Sequence, residues 1–132
     1  MAVLTRNEHC PPHVHVGAAQ WQARFEFSFW HNGVRLWDVV PVKSQPKVAV
    51  LEGLRQALKM PAHLRRAREC WWQGVQSVCL VNQCWDAAKQ TALAPSPTMA
   101  QRHTILAAHF DALRYRTILQ LAGSSHPVEI EL

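Results

Sequence analysis

Acidic residues are scarce in this chain. Nine aspartates and glutamates stand against fourteen lysines and arginines, a formal charge of +5. So few carboxylates leave little with which to hold magnesium. The positive balance favours acidic partners instead, nucleic acid among them. No run of about 18 apolar residues occurs, which excludes an expected membrane span. The first residues, Met-Ala-Val-Leu-Thr-Arg-Asn-Glu-His, lack the basic-then-apolar plan of a signal peptide. The four cysteines, at 10, 70, 79 and 84, form no C-x-x-C, so neither a redox motif nor a zinc ribbon is indicated. Without an export signal they predict a reducing, cytoplasmic setting. Nucleophile elbows, phosphate loops and H-E-x-x-H are also missing, and the case for an enzyme is thin.

What is present is aromatic and aliphatic. Six tryptophans in 132 residues are a large stock for cores and interfaces, in a chain long enough for one domain. Trp21, Ala23, Phe25, Phe27 and Phe29 recur at every second position, the period of a strand with one buried face. Asn32-Gly33 is the pair that a type I′ turn favours, so Val34 to Val40 should fold back as a second strand. A two-residue turn would set Trp30 against Arg35, Phe29 against Leu36, Ser28 against Trp37 and Phe27 against Asp38.

The remaining elements read as follows. Residues 2–5 suit a short opening strand. His13 to Val16 suit another, with both histidines on one face and both valines on the other. Pro46 in a first turn and the apolar set Val50, Leu51, Leu54, Ala57 and Leu58 predict a helix over 46–59. Pro61 then begins a second helix to Gln73, with Leu64, Ala67 and Trp71 inward. Val75 to Val81 alternates as a strand, and 87–100 reads as a long connection. Thr98 caps an expected helix carrying Ile105, Leu106, His109, Phe110 and Leu113, though a wholly β reading of 104–121 stays open. Val128 to Leu132 makes a last strand. No internal repeat is visible. The fold class is α+β: a twisted antiparallel sheet on the 20–40 hairpin, two consecutive helices on one face, and C-terminal strands added to that sheet.

The motif Glu8-His9-x-Pro11-Pro12-His13-x-His15-Val16, leading into an alternating strand, resembles a small bacterial family of domains of unknown function. The resemblance covers residues 1 to about 58 and implies a compact α+β fold in which a helix follows the sheet. Beyond it, the chain looks like longer uncharacterised proteins carried on proteobacterial mobile elements. Neither resemblance implies an activity.

Three groups of residues could carry chemistry. His9, Cys10, His13 and His15 offer imidazole and thiolate donors, and two histidines at i and i+2 on a strand can chelate one zinc. No further ligand stands at a recognised spacing, since the next acid after His15 is Glu26. The bland reading has these histidines bonded across strands or solvated. Arg55, Lys59, Arg65, Arg66 and Arg68, with Trp72 as a stacking surface, could meet phosphates, or could be the solvated face of two amphipathic helices. Asp38 falls on an apolar face, where it needs a basic partner such as Arg24 or a cluster histidine.

The leading reading is a non-enzymatic cytoplasmic binding protein, engaging nucleic acid or a nucleoprotein or protein complex, as an inhibitor of a host defence system would. The rival is a small metal-dependent hydrolase or nuclease built on the histidine cluster.

Overall fold

A computed structural model describes residues 8–95 and 103–132. Two helices and two antiparallel sheets give an α+β fold. The chain divides into two compact units, Met1–Gln76 and Ser77–Leu132. Among the described residues, no helix is long and apolar enough to cross a membrane. The expected strand at 2–5 and the Thr98 cap lie outside the described residues.

In the first unit, β1 (His13–Gly17), β2 (Gln22–Glu26) and β3 (Arg35–Val40) form a meander in that order. Two helices follow, α1 (Val48–Leu58) and α2 (Pro61–Val75). Pro61 occupies the first turn of α2, where a missing N–H costs nothing. The core takes Val14, Val16, Ala23 and Phe25 from the strands with Leu51, Leu58, Leu64, Ala67 and Trp71 from the helices. These are the inward positions that the sequence periods predict.

The hairpin differs from expectation. Glu26 pairs with Arg35, Phe25 with Leu36 and Arg24 with Asp38, and the register shifts at a bulge between Arg24 and Phe25. Residues 27–34 are therefore a loop rather than continuing strands around Asn32-Gly33. Neither Asn32 nor Gly33 has the positive φ of a type I′ turn. The loop still buries Phe27, Phe29 and Val34, which explains why its apolar alternation mimics a strand.

Arg68 holds this loop. It lies on α2, fully buried, and its Nε donates to Ser28 O at 2.8 Å. Its Nη2 donates to His31 O at 2.8 Å and to Asn32 Oδ1 at 3.0 Å. Three acceptors that a two-residue turn would have left to other partners thus converge on one guanidinium.

In the second unit the C-terminal strands make their own sheet instead of extending the first. Its order is β5 (Thr91–Leu93), β4 (Cys84–Asp86), β6 (His103–Asp111), β7 (Arg116–Leu121), β8 (Val128–Glu131). The strand expected at 75–81 is absent. Val75 closes α2, and Gln76, Cys79 and Asn82 all adopt left-handed backbone that no regular strand contains. The helix expected around 105–113 is β6, as the β alternative allowed. A register shift between Ile105 and Ala107 breaks the two-residue period. Ile105 and Phe110, an odd number of residues apart, are thereby both buried, imitating helical spacing.

Two hairpins of this sheet close alike. Asp86 Oδ1 accepts from the amides of Ala88 and Lys89, and Asp111 Oδ1 accepts from those of Leu113 and Arg114. Gln90 and Tyr115 then turn left-handed, with φ of 52° and 53°. The shared pattern Asp-Ala-x-basic-x is too short to show as a repeat in sequence.

Replacing Arg68 with Met should lower the unfolding free energy by about 3 kcal/mol, because it strands the loop acceptors without hydrogen bonds. Chemical denaturation measures this. A loss under about 1 kcal/mol would mean that the loop does not depend on the guanidinium.

Candidate metal centre

The outward face of the first sheet is built by the same register. His13 pairs with Glu26 and His15 with Arg24 on the β1–β2 ladder, while Arg24 faces Asp38 on the β2–β3 ladder. Alternation puts the valines of β1 into the core and both histidines on the opposite face. His13 is nonetheless buried. Its ring lies 5.1 Å from Trp37 and 5.3 Å from Trp71, centroid to centroid, and 5.0 Å from His15.

Glu8 completes the group. Its Oε2 lies 2.7 Å from His13 Nε2, and its Oε1 lies 3.1 Å from His15 Nε2. One donor atom from each of Glu8, His13 and His15 falls within 4.8 Å of the others. Around a tetrahedral zinc ion with bonds of about 2.0–2.2 Å, ligand atoms stand roughly 3.4 Å apart, a separation the 2.7 Å and 3.1 Å contacts approach.

The protonation pattern is informative. His13 Nδ1 is 2.8 Å from Pro11 O. A carbonyl only accepts, so Nδ1 carries a hydrogen, and Nε2 is the ring atom left to face Glu8, whose carboxylate oxygen stands 2.7 Å away. The distance is that of an ion pair, yet Nε2 is buried without a hydrogen bond, so no N–H is well aligned on that oxygen. His15 Nδ1 is likewise buried without a partner.

Around this group sits a charged frame. Arg24 grips Asp38 with two nitrogens, Nε donating to Oδ1 at 2.7 Å and Nη2 to Oδ2. The guanidinium also stacks on Trp37, with Cζ 4.2 Å from the ring centre. The hydrogen bond from Arg24 holds the Asp38 carboxyl below its ordinary range, against the opposing effect of burial. Asp38 thus pairs with Arg24 as expected, although it faces Arg24 and not Phe27.

The other expected ligands stand apart from the group. His9 is exposed, and Cys10 is disulfide-bonded and offers no thiolate. Among the described residues, the group whose donor atoms could hold an ion is Glu8, His13 and His15, which shares two residues with the expected set of His9, Cys10, His13 and His15. Glu8 was legible as part of the Glu-His-x-Pro-Pro-His motif. Nothing in its spacing marked it as a ligand, because the route back from residue 8 to the strand is set by the proline turn.

The basic tract is also redistributed. Arg68 is inside the core and cannot meet a phosphate. Arg55 donates to Glu52 through Nε and Nη2 and to Val34 O through Nη1. Hydrogen bonds from Arg55 and Gln56 lower the Glu52 carboxyl to about 2, so that pair stays charged on both sides. Arg65 pairs with Glu69 at 3.0 Å. Lys59 and Arg66 are exposed, and Trp72 is half-buried.

No family model, curated protein or solved structure matches the chain.

The Arg24–Asp38 pair predicts a pH dependence. A carboxyl whose folded pKa is depressed adds stability above its unfolded pKa, near 4, and loses it as pH falls through the folded value. Asp38→Asn should therefore cost about 1 kcal/mol at pH 7, a modest figure because the pair is partly solvated. The gap between the two proteins should narrow below about pH 4. Denaturation of both at pH 7 and pH 3 checks this, and a gap that does not change with pH would contradict it.

Proposed function

We propose that this chain binds one divalent transition-metal ion through Glu8, His13 and His15, and that the ion is its working centre. The observation that carries the reading is His13 Nε2, buried without a hydrogen bond 2.7 Å from a carboxylate oxygen. With a lone pair on Nε2, two electron-rich atoms at that distance repel unless a cation lies between them. A proton would serve only with its N–H aligned on the oxygen, which the geometry does not provide. The Pro11 carbonyl bond supports the reading further, because ligand histidines ordinarily fix their ring by donating the other N–H to a carbonyl or carboxylate.

Two imidazoles and a carboxylate suit zinc or ferrous iron, and three protein ligands leave a position open for water or substrate. Zinc would lower the pKa of a water in that position to about 7 and supply a hydroxide nucleophile at neutral pH. The reading is thus of the small metal-dependent hydrolase kind. Nucleic-acid contact through the basic tract draws less support, since only Lys59 and Arg66 of its five cations are exposed and outside the described ion pairs and buried contacts.

Untagged protein incubated with zinc and desalted should retain about one equivalent, and a chelator should lower its melting temperature. His13→Ala should abolish retention, and Glu8→Gln should weaken affinity by about tenfold or more. Well under one equivalent in the wild type, with no response to chelator, would contradict the reading.

A further inference from the structure

The following rests on the metal reading above. We propose that the open position of the centre takes an oxyanion, a phosphoryl or carboxylate group, shared between the metal ion and the guanidinium of Arg24.

The site opens in one direction. Side-chain exposure rises from 2% at His13 through 12% at His15 and 16% at Glu8 to 33% at Arg24 and Asp38. His13 is the floor, and the solvent side is framed by the Arg24–Asp38 pair. A group arriving from solvent therefore meets Arg24 before it meets the metal. Arg24 stands directly across from His15 on the ladder, where facing side chains leave Cβ atoms about 5 Å apart.

Arg24 is also prepared for an anion. Asp38 takes its Nε and Nη2 edge and Trp37 stacks on its face, so its plane is fixed before any ligand arrives. Nη1 makes no hydrogen bond among the described contacts. A planar guanidinium with one edge secured and one end free can give directed hydrogen bonds to an oxyanion at little ordering cost. Charge points the same way. A divalent ion and Arg24 supply three positive charges, Glu8 and Asp38 supply two negative ones, and histidines that coordinate an ion through a ring nitrogen supply none. The remaining Glu26 and Arg35 pair with each other through Nε at 3.1 Å and cancel. A net single positive charge beside an open coordination position selects an anion over a neutral ligand.

Cobalt(II) substitution tests this on the whole chain, because its visible bands report both loading and exchange at the open position. Loading is read first. If cobalt does not load, the metal reading and this inference both fail. With cobalt in place, inorganic phosphate or acetate should shift the bands in a saturable way, and comparing the two tells phosphoryl from carboxylate preference. Arg24→Gln should still load cobalt but bind the preferred anion about tenfold more weakly. Should that variant not fold, Arg24→Lys decides, since an ammonium cannot copy the stacked fork. Its binding should also weaken, by about threefold or more. Loaded wild-type protein that ignores both anions, or a folded Arg24 variant that binds them as tightly as wild type, would overturn the proposal.

Discussion

The first unit depends on one buried guanidinium. Arg68 reaches from α2 to the carbonyls of Ser28 and His31 and the side chain of Asn32. That grip makes residues 27–34 a fixed loop. A fixed loop sets the register in which Arg35 meets Glu26 and Asp38 meets Arg24. Because a slip of one residue in a strand turns every side chain to the other face, this register decides which residues share the outer face. With Asp38 opposite Phe27, Arg24 would have lost its partner. The Arg24–Asp38 pair that flanks the Glu8–His13–His15 group therefore depends on an arginine of α2.

Within that frame the polar face does two kinds of work. The Arg24–Asp38 and Glu26–Arg35 pairs satisfy charges that the sheet leaves half-covered. The Glu8–His13–His15 group is different in kind, since its buried nitrogens are not all matched by hydrogen bonds. Native proteins leave few buried polar atoms unsatisfied, and those that remain call for an ion, a water or a catalytic use. Here the donor atoms converge, and that convergence is what supports the proposed ion.

Much of this fold was legible in the sequence, and the failures have identifiable physics. The helices at 48–58 and 61–75 were marked by clear apolar stripes, and the second also by a first-turn proline, signals that are local. Pro46, expected inside the first, precedes its N-cap Lys47. The split of β1 into a histidine face and a valine face followed from strand geometry alone. The hairpin misled because Phe27, Phe29 and Val34 are buried in a loop, where alternation reflects packing and not a ladder. Asn32-Gly33 is a genuine turn signal, but its local preference was overridden by bonds from a residue 36 positions away. Arg68 itself looked like surface because an arginine with a neighbouring apolar stripe is ordinarily solvated. In the second unit a register shift in β6 turned a strand period into a helix-like one. At the site, His13 and His15 of the expected set do fall together, while His9 is exposed and Cys10 is disulfide-bonded. That Glu8 joins them depends on how the chain doubles back before β1, which spacing does not encode.

X-ray absorption at the zinc edge of the loaded protein tests the central claim most directly, because it reads the donor atoms. An ion held by Glu8, His13 and His15 should show a first shell of nitrogen and oxygen at about 2.0–2.1 Å, with imidazole scattering from two histidines and no sulfur. A sulfur shell at about 2.3 Å, or a shell without imidazole, would contradict it.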